Sequence, residues 1–283
     1  MNRNIKNILR DSLALLPDKQ FCSLTFTIRH KRFPSLKNPK LLYDKLLYLK
    51  LTSRDPIQKI LADKYEVRKF VKERIGEAYL IPLIGVYQSS KEIDINALPD
   101  KFALKPTTSS SYNLICTDKK TLDWKKEFDN IDKFINLDFY KKTREWQYKD
   151  LPKRFVIENH IADVNGNTYD YKFWCFNGVP TFVQVDSERF DNHKRDIFDI
   201  DFNRLELKIV YENSKHEITK PKNYEKMVEL AKELSKGLNF IRVDLYNIDG
   251  KIYFGELTFY PDNCNGTMYP SKYEKIYGDM LII

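Results

Sequence analysis

The chain has 283 residues, 42% of them hydrophobic and 14% aromatic, enough to bury a substantial core in one large or two to three small lobes. No apolar run approaches the roughly 18 to 20 residues of a membrane span, the four cysteines form no CxxC pair and the four histidines show no HExxH spacing, which argues against a spanning helix, a disulfide framework and a zinc site. The net charge of +8 favours an anionic partner, whether nucleotide, acidic sugar, nucleic acid or anionic lipid surface, and does not choose among them.

From Ile5 to Leu16 apolar residues recur at helical spacing, predicting a helix that either packs on the core or lies on a surface. The Leu13 to Leu16 patch is short and flanked by Asp11 and Asp18, unlike a secretory signal, so a cytoplasmic location is expected. Further helices are predicted from Pro39 to Leu51 and from Asp63 to about Ile75, where Val67, Phe70, Val71 and Ile75 form a stripe before Gly76. Strands follow at Ile81 to Tyr87, Phe102 to Lys105 and Asn113 to Cys116, then a mixed helical stretch from Thr121 to Tyr140 and a strand from Arg154 to Glu158. Tyr171 to Phe176 and Val179 to Val185 alternate about Asn177-Gly178, a strong hairpin signal. Tyr224 to Leu234 reads as a helix ending at Gly237. The order is α+β with antiparallel pieces.

The densest chemistry is in the last hairpin. Arg242 and Asp244 are two residues apart, as are Glu256 and Thr258, so each pair shares a strand face. The turn Asn247-Ile248-Asp249-Gly250 joins them. A loop of three or five residues sets Asp244 and Glu256 on one face, whereas a plain two-residue loop sets them on opposite faces. On one face they form a place for magnesium and a phosphate; the ordinary alternative is a hairpin with solvated charges.

Other positions invite a similar reading, each with an ordinary alternative. Lys105 precedes the hydroxyl-rich run Pro106-Thr107-Thr108-Ser109-Ser110-Ser111, which is either a phosphate-cradling loop or a merely flexible one. Lys64 begins a helix where an anion is favoured, or is an exposed helix lysine. Glu158 ends a strand and can accept a hydrogen bond from an adenine amino group, or be a plain strand-end carboxylate. Asp170 and Lys172 share a face of the Asn177-Gly178 hairpin, which leads on to Asp186, Glu188 and Arg189. His193, Lys194 and Arg195 form a basic cluster suited to an anionic acceptor, or simply a solvated one.

Taken in order, the DK-x-x-x-R helix start at Asp63, Lys105 with its loop, Glu158, the Asp170-x-Lys172 hairpin, Arg242-x-Asp244 and Glu256-x-Thr258 resemble the ATP-grasp ligases. Asp63 to Arg68, Ile75 to Val86, Asp170 to Gly178, Gln184 to Arg195 and Phe240 to Pro261 resemble the TupA-like branch, which is associated with bacterial surface polysaccharides including teichuronopeptide. The resemblance runs from about Lys37 to Pro261. It implies two α+β lobes with nucleotide bound between antiparallel sheets and a helical N-terminal region ahead of them, with divisions at 1–62, 63–160 and 161–283. The implied cofactors are ATP and Mg2+. Lys64, Lys105, Ser109 and Ser110 would meet the phosphates, Glu158 the adenine, and His160 and Asp170 would join the nucleotide site. Asp244, Glu256 and Thr258 would hold magnesium, Arg242, Lys172 and Arg189 would serve catalysis, and His193, Lys194 and Arg195 would hold the substrate.

The implied reaction is ATP-dependent joining of a carboxylate to an amine through an acyl phosphate. The carboxylate would belong to a uronic acid on a sugar nucleotide or lipid-linked glycan, and the amine to an amino acid or small amine, with peripheral contact at the inner membrane surface one expectation. Two positions depart from the family pattern: Thr258 stands where Asn is usual, and Thr107 to Ser111 contain no glycine where NHGSG is expected. A nucleotide-sugar transferase and a non-catalytic ATP-binding module are the alternatives. Nucleic acid is not an expected partner, since no RNP-like, zinc-finger or helix-turn-helix signature is present.

Overall fold

The structure is a computed structural model that describes residues 15–108, 112–162, 169–187 and 193–283. Most of the helix expected at Ile5 to Leu16, together with Ser109, Ser110, Glu188 and Arg189, lies outside the described residues. The first described helix begins after Pro17: α1 spans Asp18–His30 and buries Cys22 and Phe26, one turn apart, on a single face. Its end is set by Lys31 in the left-handed conformation, whose N–H bonds to the Thr27 carbonyl. Helices α2 (Leu42–Thr52), α3 (Ile57–Ala62) and α4 (Val67–Ile75) follow.

A four-stranded antiparallel sheet comes next, built from β1 (Leu83–Tyr87), β2 (Phe102–Pro106), β3 (Leu114–Cys116) and β4 (Phe155–Asn159) in the order β1-β4-β2-β3. Helix α5 (Trp124–Ile135), capped by the Asp123 side chain on the Lys126 N–H, lays Ile131 and Ile135 against Phe102, Leu104, Phe155 and Ile157 to make a small separate core. Helix α6 (Phe139–Thr143) and a short turn at Trp146–Tyr148 connect α5 to β4.

The larger sheet has five antiparallel strands, β5 (Tyr169–Phe176), β6 (Val179–Ser187), β7 (Lys194–Asp199), β9 (Phe240–Ile248) and β10 (Lys251–Thr258), in the order β10-β9-β5-β6-β7. A minor pair joins β8 (Lys208–Ile209) to β11 (Met268–Tyr269). Helix α7 (Tyr224–Ser235) buries Met227, Leu230, Ala231 and Leu234 against Phe173, Cys175, Ile241 and Val243 from one sheet face. Each such large apolar side chain, fully buried, contributes about 1.5–3 kcal/mol before cavity effects. Helix α8 (Lys272–Met280) closes the chain. The β5–β6 turn is Asn177-Gly178, both at positive φ, as the sequence predicts.

The β9–β10 turn also has two residues: Asp249 and Gly250 take positive φ, and Lys251 pairs with Ile248. Uninterrupted, that register would set Asp244 and Glu256 on opposite faces. It is interrupted after Phe254 pairs with Leu245, and resumes with Glu256 opposite Asp244 and Thr258 opposite Arg242. Gly255 is the extra residue. A Cβ there would lie 2.9 Å from the Asp244 carbonyl oxygen and 3.2 Å from the Tyr246 ring, so this bulge needs glycine for the close approach of the partner strand.

Candidate active site

Strand alternation separates the five-stranded sheet into an apolar face on α7 and a polar face turned away from it. Register aligns the polar residues across strands: Glu256 with Asp244, Asp244 with Lys172, Lys172 with Gln184, Asp170 with Asp186, and Asp186 with Arg195. The Arg242 guanidinium grips Asp244 through Nε and Nη2, each at 2.7 Å, and Lys172 Nζ reaches the same carboxylate at 2.8 Å and Asp170 at 2.7 Å. Arg242 Nη2 also donates to Glu256 Oε1 at 3.3 Å and to Thr258 Oγ1 at 3.1 Å. The expected metal carboxylate Asp244 is therefore 1% exposed and held by two cations.

Glu256 differs from it. Its side chain is 38% exposed, and its contacts with Arg242 and Thr258 both fall on Oε1. Desolvation would raise its pKa, but Lys64 and Arg242 outweigh that and bring it down to about 2, so the carboxylate is ionised near neutral pH. For Lys172, burial works against the charge, while Asp170 and Asp244 more than compensate and raise its pKa.

The smaller sheet supplies the facing wall. Glu158, opposite Ala103 in β2, accepts from Arg68 Nη1 at 2.8 Å on one oxygen and from Lys105 Nζ at 3.0 Å on the other. Asp63 accepts from the Tyr65 and Glu66 N–H groups at 2.8 and 3.1 Å and pairs with Arg154 at 3.2 Å, which fixes the helix start next to Lys64. The Lys64 N–H donates to the Thr107 carbonyl at 3.1 Å, and the Thr107 N–H donates to the Arg154 carbonyl at 3.0 Å. Thr107 is thus part of the wall. Burial lowers the pKa of Lys64, and Glu256 is the largest charge opposing that shift.

Lys64, Arg68, Lys105, Glu158, Tyr246 and Glu256 line one cleft between the two sheets, of about 480 Å³ counting its open side. The structure therefore brings Lys64, Lys105, Glu158 and Glu256 together, with Asp244, Arg242 and Thr258 beside them. His160 is elsewhere: it follows β4 near Lys101, where burial and then that lysine lower its pKa, and it does not line the cleft.

The basic cluster divides. Arg195 is 4% exposed, donating to Asp186 through Nε at 2.7 Å and to the Ile209 carbonyl at 3.2 Å. His193 Nε2 lies 3.4 Å from the same Asp186 carboxylate. Lys194 alternates to the other face and pairs in register with Ser187. Burial would raise the pKa of Asp186, but the nearby His193 ring and the charges of Arg195 and Lys172 take it well below the usual carboxylate range. Arg68, legible only as the last letter of the helix-start motif, and Tyr246 are cleft residues to which sequence reasoning gave no role.

Two antiparallel sheets closing on a cleft of lysines and carboxylates are the layout of an ATP-grasp protein. The TupA-like ATPgrasp family model matches residues 44–282, and the chain belongs to that family. Similar solved structures include the D-alanine–D-alanine ligase from Bacillus anthracis complexed with ATP (TM-score 0.41, 16% identity, 71% of this chain and 54% of that one). The D-alanine–D-alanine ligase from Helicobacter pylori is another (TM-score 0.41, 15% identity, 79% of this chain and 62% of that one). A third is the N5-carboxyaminoimidazole synthase from Aspergillus clavatus (TM-score 0.38, 11% identity, 71% of this chain and 44% of that one). The chain thus spans 54% and 62% of the length of the two D-alanine ligases. No curated protein sequence matches it.

Proposed function

We propose that the protein is an ATP-dependent carboxylate–amine ligase that forms an amide through an acyl phosphate, attaching an amino acid or small amine to a uronic acid of a bacterial surface polysaccharide or its precursor. The observation that carries this reading is the meeting of Lys64 and Lys105 with Glu256 in one cleft: cations for phosphate oxygens stand beside an ionised carboxylate for a metal ion.

The donor set fits magnesium, a hard cation usually bound by one or two carboxylates together with substrate phosphates. Among the described residues no group of three or more His, Cys, Asp or Glu side chains could hold a metal ion by itself, which suits a shared site of that kind. Glu256 would be the cleft-facing ligand, with the Thr258 hydroxyl beside it; contact from Asp244 requires Arg242 or Lys172 to give way. When bound, magnesium supplies charge neutralisation at the phosphates.

Lys64 and Lys105 would pair with phosphate oxygens, and Glu158, already oriented by Arg68, would accept from the adenine amino group. The substrate carboxylate attacks the γ-phosphorus in line and ADP departs. Arg242 steadies the charge on the transferred phosphoryl group, and Lys172, at 2.8 Å from its carboxylate, holds Asp244 in place. The cleft walls limit hydrolysis of the acyl phosphate until an amine attacks its carbonyl and phosphate leaves. The net charge of +8 favours an acidic glycan. A lipid-linked glycan would bring the protein to the inner membrane face as a peripheral visitor, since no helix of the described residues is long and apolar enough to cross a membrane.

Thermal unfolding with and without ATP and magnesium, in wild type and Lys105→Ala, tests the reading without knowledge of the second substrate. A magnesium-dependent rise in wild type, much reduced in the variant, is the expected result. A rise with nucleotide sugars and none with ATP would replace the ligase by a transferase. ATP binding without ADP release for any pairing of uronates and amines would leave a non-catalytic module.

A further inference from the structure

The N-terminal helical region carries a surface that the phosphate cleft does not use. Residues 19–43 contain six lysines and arginines and no aspartate or glutamate, in a chain with 40 acidic residues, so charge is segregated here rather than merely short of acids. Of the six, Arg32 pairs with Asp44 at 2.8 Å and with Glu274 at 3.0 Å. Lys19, Arg29, Lys31, Lys37 and Lys40 are exposed, and among the described residues none of them pairs with a carboxylate. Asp18, just ahead of the stretch, accepts from the Tyr140 hydroxyl at 2.7 Å.

Three large apolar side chains stand in solvent among these cations: Leu24, Ile28 and Phe33 are 40%, 57% and 83% exposed. Leu24 and Ile28 are one turn apart on α1 and share a face. Each follows a buried residue, Cys22 or Phe26, by two positions, about 200° around the helix, so the pair points away from the core. Lys31 stands at the end of α1, one turn beyond Ile28, and Phe33 comes two residues later, within about 13 Å of Ile28 by chain length. Arg32 between them turns inward, its guanidinium 5.0 Å from the centre of the Phe26 ring. Pro34 favours extended backbone at Phe33, in which neighbouring side chains point opposite ways, so Phe33 turns outward as Leu24 and Ile28 do.

This combination separates the anionic partners. Nucleic acid rewards the cations alone and leaves the exposed apolar side chains in water. An anionic bilayer rewards both, since apolar side chains enter the interface while lysines and arginines reach the headgroup phosphates. We propose that the outer face of α1 and residues 31–40 form a docking surface for an anionic lipid bilayer, with Leu24, Ile28 and Phe33 inserted and Arg29, Lys31 and Lys37 on the headgroups. None of these residues lines the phosphate cleft. The proposal does not rest on the ligase reading, although such a surface would serve a ligase acting on a lipid-linked glycan.

The test is co-sedimentation of the full chain with vesicles of phosphatidylcholine, alone or with about 30 mol% phosphatidylglycerol. Binding to the anionic vesicles should be about tenfold tighter than to the neutral ones, or more, and should weaken at about 0.5 M salt. Ile28→Ser combined with Phe33→Ser keeps every charge and should weaken binding to anionic vesicles by about tenfold. Lys31→Gln combined with Lys37→Gln keeps the apolar side chains and should also weaken it, by about tenfold. All four positions are exposed, so both variants should unfold at the wild-type temperature and keep the wild-type response to Mg-ATP. No binding to anionic vesicles, or equal binding to neutral ones, overturns the proposal. Binding that the serine changes leave intact overturns it as well, in favour of a purely electrostatic surface such as one for nucleic acid. The Mg-ATP test involves no lipid, so the docking surface and the ligase reading fail separately.

Discussion

Lys105 Nζ lies 3.0 Å from Glu158 Oε2, so the cation expected on phosphate and the carboxylate expected on adenine form an ion pair across neighbouring strands. Arg68 holds the other oxygen of Glu158, and both Glu158 and Lys105 are largely shielded from solvent. One carboxylate thus balances two cations, and a bound nucleotide has to share them with it.

The two sides of this pair should respond differently to mutation. Lys105→Ala leaves Glu158 with Arg68, so its main expected effect is a weakening of ATP affinity by about tenfold or more. Glu158→Gln leaves two cations without their shared anion and should cost about 1–3 kcal/mol of stability. Urea denaturation read beside ATP titration checks the contrast; equal stability losses in both variants would refute it.

Asp244 and Glu256 oppose each other in register but should fail in different ways. Glu256→Gln removes a carboxylate whose side chain is 38% exposed, and is expected to abolish ADP formation while changing stability by less than about 1 kcal/mol. Asp244→Asn removes the buried anion gripped by Arg242 and Lys172 and should cost about 3–5 kcal/mol. Wild-type turnover in Glu256→Gln would end its assignment as a magnesium ligand.

Much of the fold was legible because its signals are local. Asn177-Gly178 specifies a turn, and Val67, Phe70, Val71 and Ile75 specify a helix face. The helix that starts after Pro17 was not read from the sequence, although Cys22 and Phe26 carry its spacing: only two of its residues are buried, too few to make a stripe by themselves. The hairpin shows the limit of register arguments. The two-residue turn forbids the expected pairing of Asp244 with Glu256, and a one-residue bulge restores it; the sequence marks that bulge only by a glycine. The fate of Arg195 depends on β6 and β7 being neighbours, which no local pattern states. Glu145 sits in a connecting turn with no motif around it.

Gly255→Ala is the sharpest probe of the bulge. The added methyl meets the Asp244 carbonyl at 2.9 Å, so the strands must part, at an expected cost of about 1–3 kcal/mol, and Glu256 shifts with them. Gly250→Ala, at φ +94° in the distal turn, should cost about 1 kcal/mol through backbone strain, with the Lys222 and Asn223 side chains, 3.2 and 3.3 Å from the added methyl, having to give way. ADP formation should fall sharply in the first variant and stay near wild type in the second. Comparable activity in both would show that the bulge does not set the position of Glu256.

The pH dependence of stability offers a last check, because two buried groups act in opposite directions. Burial raises Glu145 from 4.5 to about 7, so its neutral form is favoured in the fold: its contribution is fully present below 4.5 and is lost as pH rises through about 7. Burial lowers His30 from 6.5 to about 4, so its contribution is present above 6.5 and is lost as pH falls through about 4. Between pH 4.5 and 6.5 the two slopes oppose each other and partly cancel. Glu145→Gln removes one of them, and its stability should rise with pH across that window more steeply than that of wild type. Parallel curves, measured by urea denaturation at each pH, would mean that Glu145 keeps an ordinary carboxylate pKa and is solvated rather than buried.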